Sequence, residues 1–240
     1  MTKDPAPETE AAFEIVESMG VKLPIDPTVV SPAVAESIRA GNYEKSEAKN
    51  LARIVEPGDR VLELGGGLGY LSAVISRMDR AEAIVVVEAN PGLIPLIRIT
   101  HGLNGASVLV VHAAVVADDD VQSLPFPVEA DFWASGLAPR KGKIVQQIVE
   151  VPAISLSRLV AAHRPTMMII DVEGSEAELL SRVEDLAGVH AVLIEVHEKV
   201  IGPAGVKRLF DFFSAAGFYV DVRLISTRVV VFRRLAKKRP

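Results

Sequence analysis

The sequence predicts a single α/β domain, and three observations lead to this fold class. Short apolar runs alternate with amphipathic helical patterns through most of the chain, and a glycine-rich turn at residues 65–69 joins the first run to its helix. The last two runs, 218–224 and 229–232, have no helix between them. Strands separated by helices pair in parallel, whereas strands joined by a short turn form a hairpin. We therefore expect a seven-stranded, mostly parallel sheet with a C-terminal antiparallel hairpin.

The N-terminal part of the chain carries weaker patterns. Residues 1–10 are polar and expected to be disordered, and the apolar positions that precede Gly20 indicate a short helix. Pro32 is placed to begin a second helix, which ends near Gly41. The predicted division is an N-terminal extension over residues 1–40, partly disordered and then helical, a main domain over 41–235 and a basic tail over 236–240.

From residue 60 onward, strands and helices alternate. Apolar runs predict strands at 60–64, 83–88, 107–111, 167–171 and 191–196. The segments between them place apolar residues at helical spacing, and Gly105, Gly188 and Gly217 follow three of these helices as C-terminal caps. Residues 117–150 show no regular period and contain the only tryptophan, Trp133.

The turn after the first strand is the most informative feature of the sequence. Residues 65–70 read Gly-Gly-Gly-Leu-Gly-Tyr. Glycine adopts positive φ and lacks a Cβ, so the backbone can turn sharply and approach a ligand, while the first amides of the next helix face the crevice. The following strand ends in Glu88, whose carboxylate can accept both hydroxyls of a ribose. Together these features indicate a cofactor that contains adenosine.

The spacing of the glycines distinguishes between two such cofactors. Tyr70 occupies the position of the last glycine in the dinucleotide fingerprint, where a large side chain obstructs close packing over a pyrophosphate. Glu63 precedes Gly65 by two residues, and an acid there suits the ammonium and sulfonium groups of S-adenosylmethionine (SAM). SAM is the predicted cofactor. A nicotinamide-dependent oxidoreductase and a purely structural glycine turn are the alternatives.

The residues expected to bind SAM surround this turn. Gly65 and Gly67 contact its amino-acid part, and Glu88 holds the ribose. The alternative for Glu88 is that it is a solvated carboxylate at a strand end. The alternative for residues 43–44 is that they form a surface turn. The predicted cofactor-binding residues are Tyr43, Glu44, Glu63, Gly65, Gly67, Glu88, Asn90, Ala113 and Ala114.

Acidic residues also follow the later strands. Asp171 stands at the carboxyl end of the strand at 167–171, where open α/β sheets place ligands. Glu195 and His197 leave the next strand at the same edge, and a histidine suits the role of a base near neutral pH. We predict catalytic roles for these three residues and substrate contacts for Glu173 and Trp133. Helix capping by Asp171 and a structural His197 are the alternatives, and the spacing of these groups demands no metal.

Residues 171–176, Asp-Val-Glu-Gly-Ser-Glu, match the D-V-E-G-x-E signature of FkbM-type methyltransferases. With the glycine turn, Glu88 and the closing hairpin, the chain resembles this family over roughly residues 40–233. The resemblance implies a Rossmann-like class I methyltransferase domain and methyl transfer from SAM, usually to a hydroxyl oxygen. Ile169 and Ser157 depart from the family's usual lysine and aspartate, which puts the transfer of a particular acceptor in doubt.

The composition of the chain limits the classes of partner that we expect. The chain has 240 residues, no cysteine and a net charge of −5, which excludes disulfides and thiolate metal sites and argues against a general nucleic-acid binder. No signal-peptide core or membrane-spanning run stands out, so a cytoplasmic protein is expected. We predict O-methylation of a small metabolite or glycan with no nucleic-acid or membrane partner, and leave a homo-oligomer open. A SAM-binding sensor or partner subunit without catalysis is the other alternative.

Overall fold

The structure is a computed structural model that describes residues 13–129, 145–183, 186 and 188–235. The predictions made for residues 1–10, for Trp133 and for the tail at 236–240 lie outside these ranges. Within the described part of the chain, no helix is both long enough and apolar enough to cross a membrane.

Strands and helices alternate through most of the chain. The strands are Glu14–Ser18 (β1), Val21–Ile25 (β2), Arg60–Leu64 (β3), Ala83–Glu88 (β4), Leu109–His112 (β5), Ala114–Val116 (β6), Ser123–Glu129 (β7), Val145–Ser155 (β8), Met167–Ile170 (β9), Ala191–Glu195 (β10), Phe218–Val220 (β11) and Val229–Arg234 (β12). The helices are Pro32–Arg39 (α1), Lys45–Ile54 (α2), Tyr70–Arg77 (α3), Leu93–Asn104 (α4), Leu156–His163 (α5), Glu176–Leu179 (α6) and Glu198–Ala215 (α7).

The central sheet has seven strands in the order β5-β4-β3-β9-β10-β12-β11. β5, β4, β3, β9 and β10 are parallel, and β12 runs antiparallel to both β10 and β11. This confirms the predicted α/β fold with its mostly parallel sheet and closing hairpin. Successive strands proceed outward from β3 on one side and from β9 on the other. Ligands bind at such a switch point, beyond the carboxyl ends of the strands.

Apolar side chains on both faces of the sheet form two core clusters. Along β3, Val61 belongs to one cluster and Leu62 to the other, because successive side chains of a strand point to opposite faces. The first cluster packs against α2, α3 and α4, and the second includes Leu209 and Phe213 of α7. Burial on both faces explains why these strands read as continuous apolar runs.

The N-terminal extension contains a hairpin where a short helix was predicted. Met19 and Gly20 have φ angles of 48° and 81°, and a two-residue turn with two positive φ angles suits a hairpin. The backbone of Lys22 on β2 exchanges hydrogen bonds with the side chain of Asn104 on α4. The helix prediction was wrong because packing against this distant helix, rather than local periodicity, decides the conformation. The predicted helix from Pro32 is present as α1.

Residues 117–150, which carry no regular pattern, include two strands of a separate small sheet. Its order is β6-β8-β7, so β7 lies at an edge. Pro125 and Pro127 fit this position, because proline cannot donate a hydrogen bond inside a sheet. The helix predicted after β9 is shorter than expected: α6 continues only as a 3-10 turn to Arg182.

Candidate active site

A cavity of about 540 Å³ opens at the carboxyl ends of the parallel strands, a volume suited to a ligand of SAM's size. Most of the predicted site residues line it. They are Tyr43, Glu44, Gly65, Gly67, Glu88, Ala113, Ala114, Asp171, Glu173 and Glu195. Glu63, Asn90 and His197 are not on its wall.

The glycine turn brings three strands together at the floor of the cavity. Gly65 has a φ of 83°, and its amide donates to the Val87 carbonyl at the end of β4. A Cβ on Gly65 would lie 1.8 Å from the carbonyl oxygen of Asp171, which follows β9. Only glycine therefore lets β3 and β9 approach this closely while the chain turns into α3.

Glu88 supports this turn from the end of β4. Its Oε2 accepts hydrogen bonds from the amides of Gly66 and Gly67 at 2.9 and 3.1 Å, and its Oε1 accepts one from the Asn90 amide at 2.7 Å. Burial raises the pKa of Glu88, and these amide bonds act in the opposite direction. Glu88 also lines the cavity, where a carboxylate can accept a hydrogen bond from a hydroxyl. The ribose-binding role stays a prediction.

Asn90, a predicted cofactor-binding residue, does not line the cavity. It is 3% exposed, and its Oδ1 accepts the Gly92 amide at 3.0 Å at the start of the turn into α4. Asparagine commonly satisfies backbone amides two residues ahead in this way. The structure therefore gives Asn90 a local structural contact and places it off the cavity wall.

Glu63 is another predicted cofactor-binding residue that does not line the cavity. Alternation along β3 turns its side chain into the layer beneath α3, where it is 1% exposed and its Oε2 has no hydrogen-bond partner among the described residues. Burial raises its pKa to about 8, partly offset by hydrogen bonding to Ser72 on α3. Glu63 is absent from the cavity wall because its side chain follows the period of the strand, and its contact with SAM stays a prediction.

This burial predicts a pH-dependent stability. An unfolded glutamate titrates near pH 4.5, so between that pH and about 8 the folded state binds more protons and stability falls as pH rises. The uncharged Glu63→Gln variant lacks this pH dependence. We expect its free energy of unfolding, relative to that of the wild type, to rise between about pH 5 and pH 8 by on the order of a few kcal/mol. Urea unfolding at both pH values measures this difference. Glu82→Gln on the surface is the control. The prediction is contradicted if the difference in free energy of unfolding between Glu63→Gln and the wild type is the same at both pH values.

The side of the cavity next to α2 carries Tyr43 and Glu44. Tyr43 is buried edge-on against Tyr70, with ring centroids 5.8 Å apart. Glu44 has a φ of 47°, an uncommon conformation for a residue other than glycine, just before α2. Burial first, and then the charges of Glu47 and Glu63, hold the pKa of Glu44 well above its usual range. Both predicted residues are therefore on the wall, and their contact with SAM stays a prediction.

Asp171, Glu173 and Glu195 form another part of the wall, here called the acidic wall. All three line the cavity. Glu173 has a φ of 54°, so a left-handed turn after β9 carries its side chain to the wall. Burial, followed by the charges of Glu173 and Glu195, holds the pKa of Asp171 well above its usual range. The Oδ1 of Asp171 is buried without a hydrogen-bond partner among the described residues, so the capping alternative gains no support from that atom.

His197 lies behind the acidic wall rather than on it. It is 4% exposed, and its Nε2 is 3.2 Å from Glu173 Oε2, 3.6 Å from Glu195 Oε1 and 3.8 Å from Asp171 Oδ1. Burial lowers its pKa, but the hydrogen bond to Glu176 and the charges of Glu173 and Glu195 outweigh this and raise it. The structure brings the predicted catalytic residues together, but His197 reaches the cavity only through the carboxylates.

The same cluster has the spacing of a cation site. Ligand atoms of Asp171, Glu173 and His197 all lie within 4.8 Å of one another. Carboxylate oxygens suit hard divalent cations, yet acidic groups often reach this spacing without one. We assign no metal, and the expectation of none stays a prediction.

Several wall residues were not singled out in the sequence. Glu47 lines the cavity one helical turn after Glu44. Arg228 also lines it, and its Nη2 lies 2.8 Å from Glu195 Oε1. Glu176, which does not line the cavity, ends the acidic signature at 171–176. That motif was the available signal, but no role followed from it alone.

The strand order and the glycine turn followed by Glu88 define the class of fold: this is the α/β fold of Rossmann-like methyltransferases. The chain belongs to the TRM5/TYW2 methyltransferase domain family, whose model matches residues 15–139, slightly more than half of the chain. That match includes the glycine turn and Glu88, and it ends before the acidic wall.

Two solved structures share the fold. Trm5b from Pyrococcus abyssi aligns with 95% of this chain and 57% of its own, at a TM-score of 0.51 and 14% identity. The tRNA (uracil-54, C5)-methyltransferase of Pyrococcus abyssi, solved with S-adenosyl-L-homocysteine, aligns with 92% of this chain and 43% of its own, at a TM-score of 0.52 and 10% identity. The chain spans about half the length of these proteins.

One curated relative matches a shorter stretch. The ribosomal RNA small subunit methyltransferase A of Magnetococcus marinus is 39% identical over 64 residues, which is 27% of this chain and 22% of the relative.

These comparisons correct two predictions. The FkbM-type assignment is not supported, because the matching family is a different one; a six-residue signature is a short motif for assigning a family. The exclusion of a nucleic-acid partner is contradicted, because a solved structure with this fold is a tRNA methyltransferase. Net charge was a poor guide, since it averages over the surface and does not describe a local binding face.

Proposed function

We propose that the protein transfers a methyl group from SAM to a base of tRNA. The observation that carries the proposal is one cavity that is lined both by the glycine turn with Glu88 and by the acidic wall. Carboxylates accept hydrogen bonds from the N–H groups on base edges. The family and the tRNA methyltransferase of the same fold add support.

The cavity fits SAM by its shape and its polar groups. The absence of side chains at Gly65 and Gly67 leaves room for the amino-acid part of the cofactor beside the backbone of the turn. Glu88, already held by two loop amides, is oriented to accept a ribose hydroxyl. When bound, SAM supplies a methyl group on a sulfonium, and the electron pair of the breaking C–S bond stays on sulfur.

The acidic wall positions the acceptor and takes its proton. The acceptor atom must lie roughly 3 Å from the methyl carbon and in line with the breaking bond. As the acceptor lone pair forms the new bond to carbon, its proton passes to Asp171, whose raised pKa makes it a better base than an ordinary aspartate. A base in a duplex cannot reach a recessed cavity, so the acceptor is an unpaired or extruded base.

One observation favours a second candidate, a small hydroxylated or amino acceptor without phosphate. Carboxylates dominate the charged groups that line the cavity among the described residues: Glu44, Glu47, Glu88, Asp171, Glu173 and Glu195, against Arg228. This charge repels a phosphate near the reaction centre, although a base can enter while its phosphates stay outside.

The test uses purified protein and SAM labelled in the methyl group. Unmodified tRNA transcripts, a ribosomal RNA fragment and a panel of hydroxylated and amino metabolites are the acceptors. We expect label in tRNA, and binding of SAM and S-adenosylhomocysteine in the micromolar range by calorimetry. Label in metabolites alone would support the second candidate. Binding of SAM without any transfer would favour a non-catalytic sensor or subunit, and binding of NAD alone would overturn the cofactor assignment.

A further inference from the structure

Glu176 is a buried acid that the steps above leave without a role. It begins α6 and is 0% exposed. Its Oε1 lies 2.6 Å from Nδ1 of His197 and accepts the Gly174 amide at 2.9 Å. One carboxylate oxygen therefore fixes both a backbone turn and an imidazole ring.

The other nitrogen of that ring faces the acidic wall. Nε2 of His197 lies within 3.8 Å of an oxygen from each of Asp171, Glu173 and Glu195. These acids come from two places, the turn after β9 and the end of β10. His197 is thus the shared contact between them, and Glu176 determines how its ring is turned.

We propose that Glu176 is a positioning residue for methyl transfer, which acts through His197 to hold the three carboxylates of the acidic wall in place. The proposal rests on the proposed function, since it assigns a role within the same site. It extends the site to a residue that does not touch the cavity.

The alternative is that Glu176 only stabilises the turn before α6. Its bond to the Gly174 amide serves that role, and an uncharged acceptor could replace it. Burial of an acid is costly, however, and apolar residues of similar volume often pack as well. The placement of the carboxylate on Nδ1, with Nε2 turned toward the wall, matches the way buried acids orient catalytic histidines.

The experiment compares Glu176→Gln with Glu178→Gln, an exposed neighbour on the same helix. The chain contains five histidines, so nitrogen NMR can resolve the His197 ring, with His197→Gln providing the assignment. We expect the Nδ1 signal of His197 to shift in Glu176→Gln only. Turnover should fall at least about tenfold in that variant, with SAM affinity within about twofold of the wild type.

An unchanged His197 signal in Glu176→Gln would overturn the proposal. So would a changed signal with wild-type turnover, because the ring would then not matter for the reaction. If Glu176→Gln does not fold, Glu176→Asp takes its place under the same criteria. If the wild type binds SAM but methylates no acceptor, the proposed function fails separately. The NMR comparison then tests whether Glu176 positions the His197 ring. A change in the His197 Nδ1 signal that is specific to the Glu176 variant supports this role, and an unchanged signal refutes it.

Discussion

Gly65→Ala is expected to abolish SAM binding and to destabilise the protein. The new methyl group would lie 1.8 Å from the Asp171 carbonyl oxygen, a backbone atom that cannot rotate away. Relief requires β3 and β9 to separate at the point where the cavity floor forms. Alanine also tolerates the φ of 83° poorly. Urea unfolding measures the stability, and calorimetric titration measures SAM binding.

Gly58→Ala is the matched control for this variant. Gly58 has nearly the same φ, 84°, but nothing lies within 4 Å of the position that its Cβ would occupy. Both variants carry the conformational cost, about 1–2 kcal/mol, so the difference between them isolates the clash. We expect Gly65→Ala to be less stable than the control by about 2–3 kcal/mol. Equal stability and equal SAM affinity in the two variants would show that the strands separate freely.

Asp171→Asn is expected to reduce turnover by about 10²- to 10⁴-fold while SAM affinity changes only a few-fold. The amide keeps the size of the side chain but cannot take the acceptor's proton. Stability should hold or rise slightly, because one like charge leaves a wall that also carries Glu173 and Glu195. Single-turnover rates with saturating SAM separate the chemical step from binding.

Asp211→Asn, in an exposed pair with Lys207 on α7, controls for the general effect of the substitution. Its turnover should match the wild type. Loss of folding in Asp171→Asn would favour the helix-capping role over catalysis. Loss of SAM affinity in parallel with turnover would make Asp171 a cofactor contact.

The alternating apolar runs predicted the central sheet closely. β3 and β4 occupy the predicted ranges, and β9 and β10 end within one residue of them, because buried parallel strands are apolar on both faces and their limits are visible locally. The first hairpin was not predicted, because Met19 is an unusual residue for a positive φ and the pairing depends on contact with α4. β7 was missed because an edge strand with two prolines carries no clear period.

The candidate site likewise contains features that were predictable from local sequence and features that depend on tertiary packing. Glu88 and the glycines were identifiable because turn chemistry is local in sequence, and the structure places them on the cavity wall. The burial of Glu63 was not predicted, because the direction of its side chain depends on the pleat of β3 and on which layer covers that face. Glu176 was visible in its motif, but its role depends on contact with His197, 21 residues away.

The sequence by itself determined the α/β class, the glycine turn and the acids that end the strands, because each depends on residues that are close together along the chain. The tertiary structure alone decided which acids face the cavity and which lie behind it. Strand order sets β3 beside β9, brings the turn after β9 next to the end of β10, and so gathers Asp171, Glu173 and Glu195 around one buried histidine. Contacts between residues distant in sequence depend on this packing, and no local pattern encodes them.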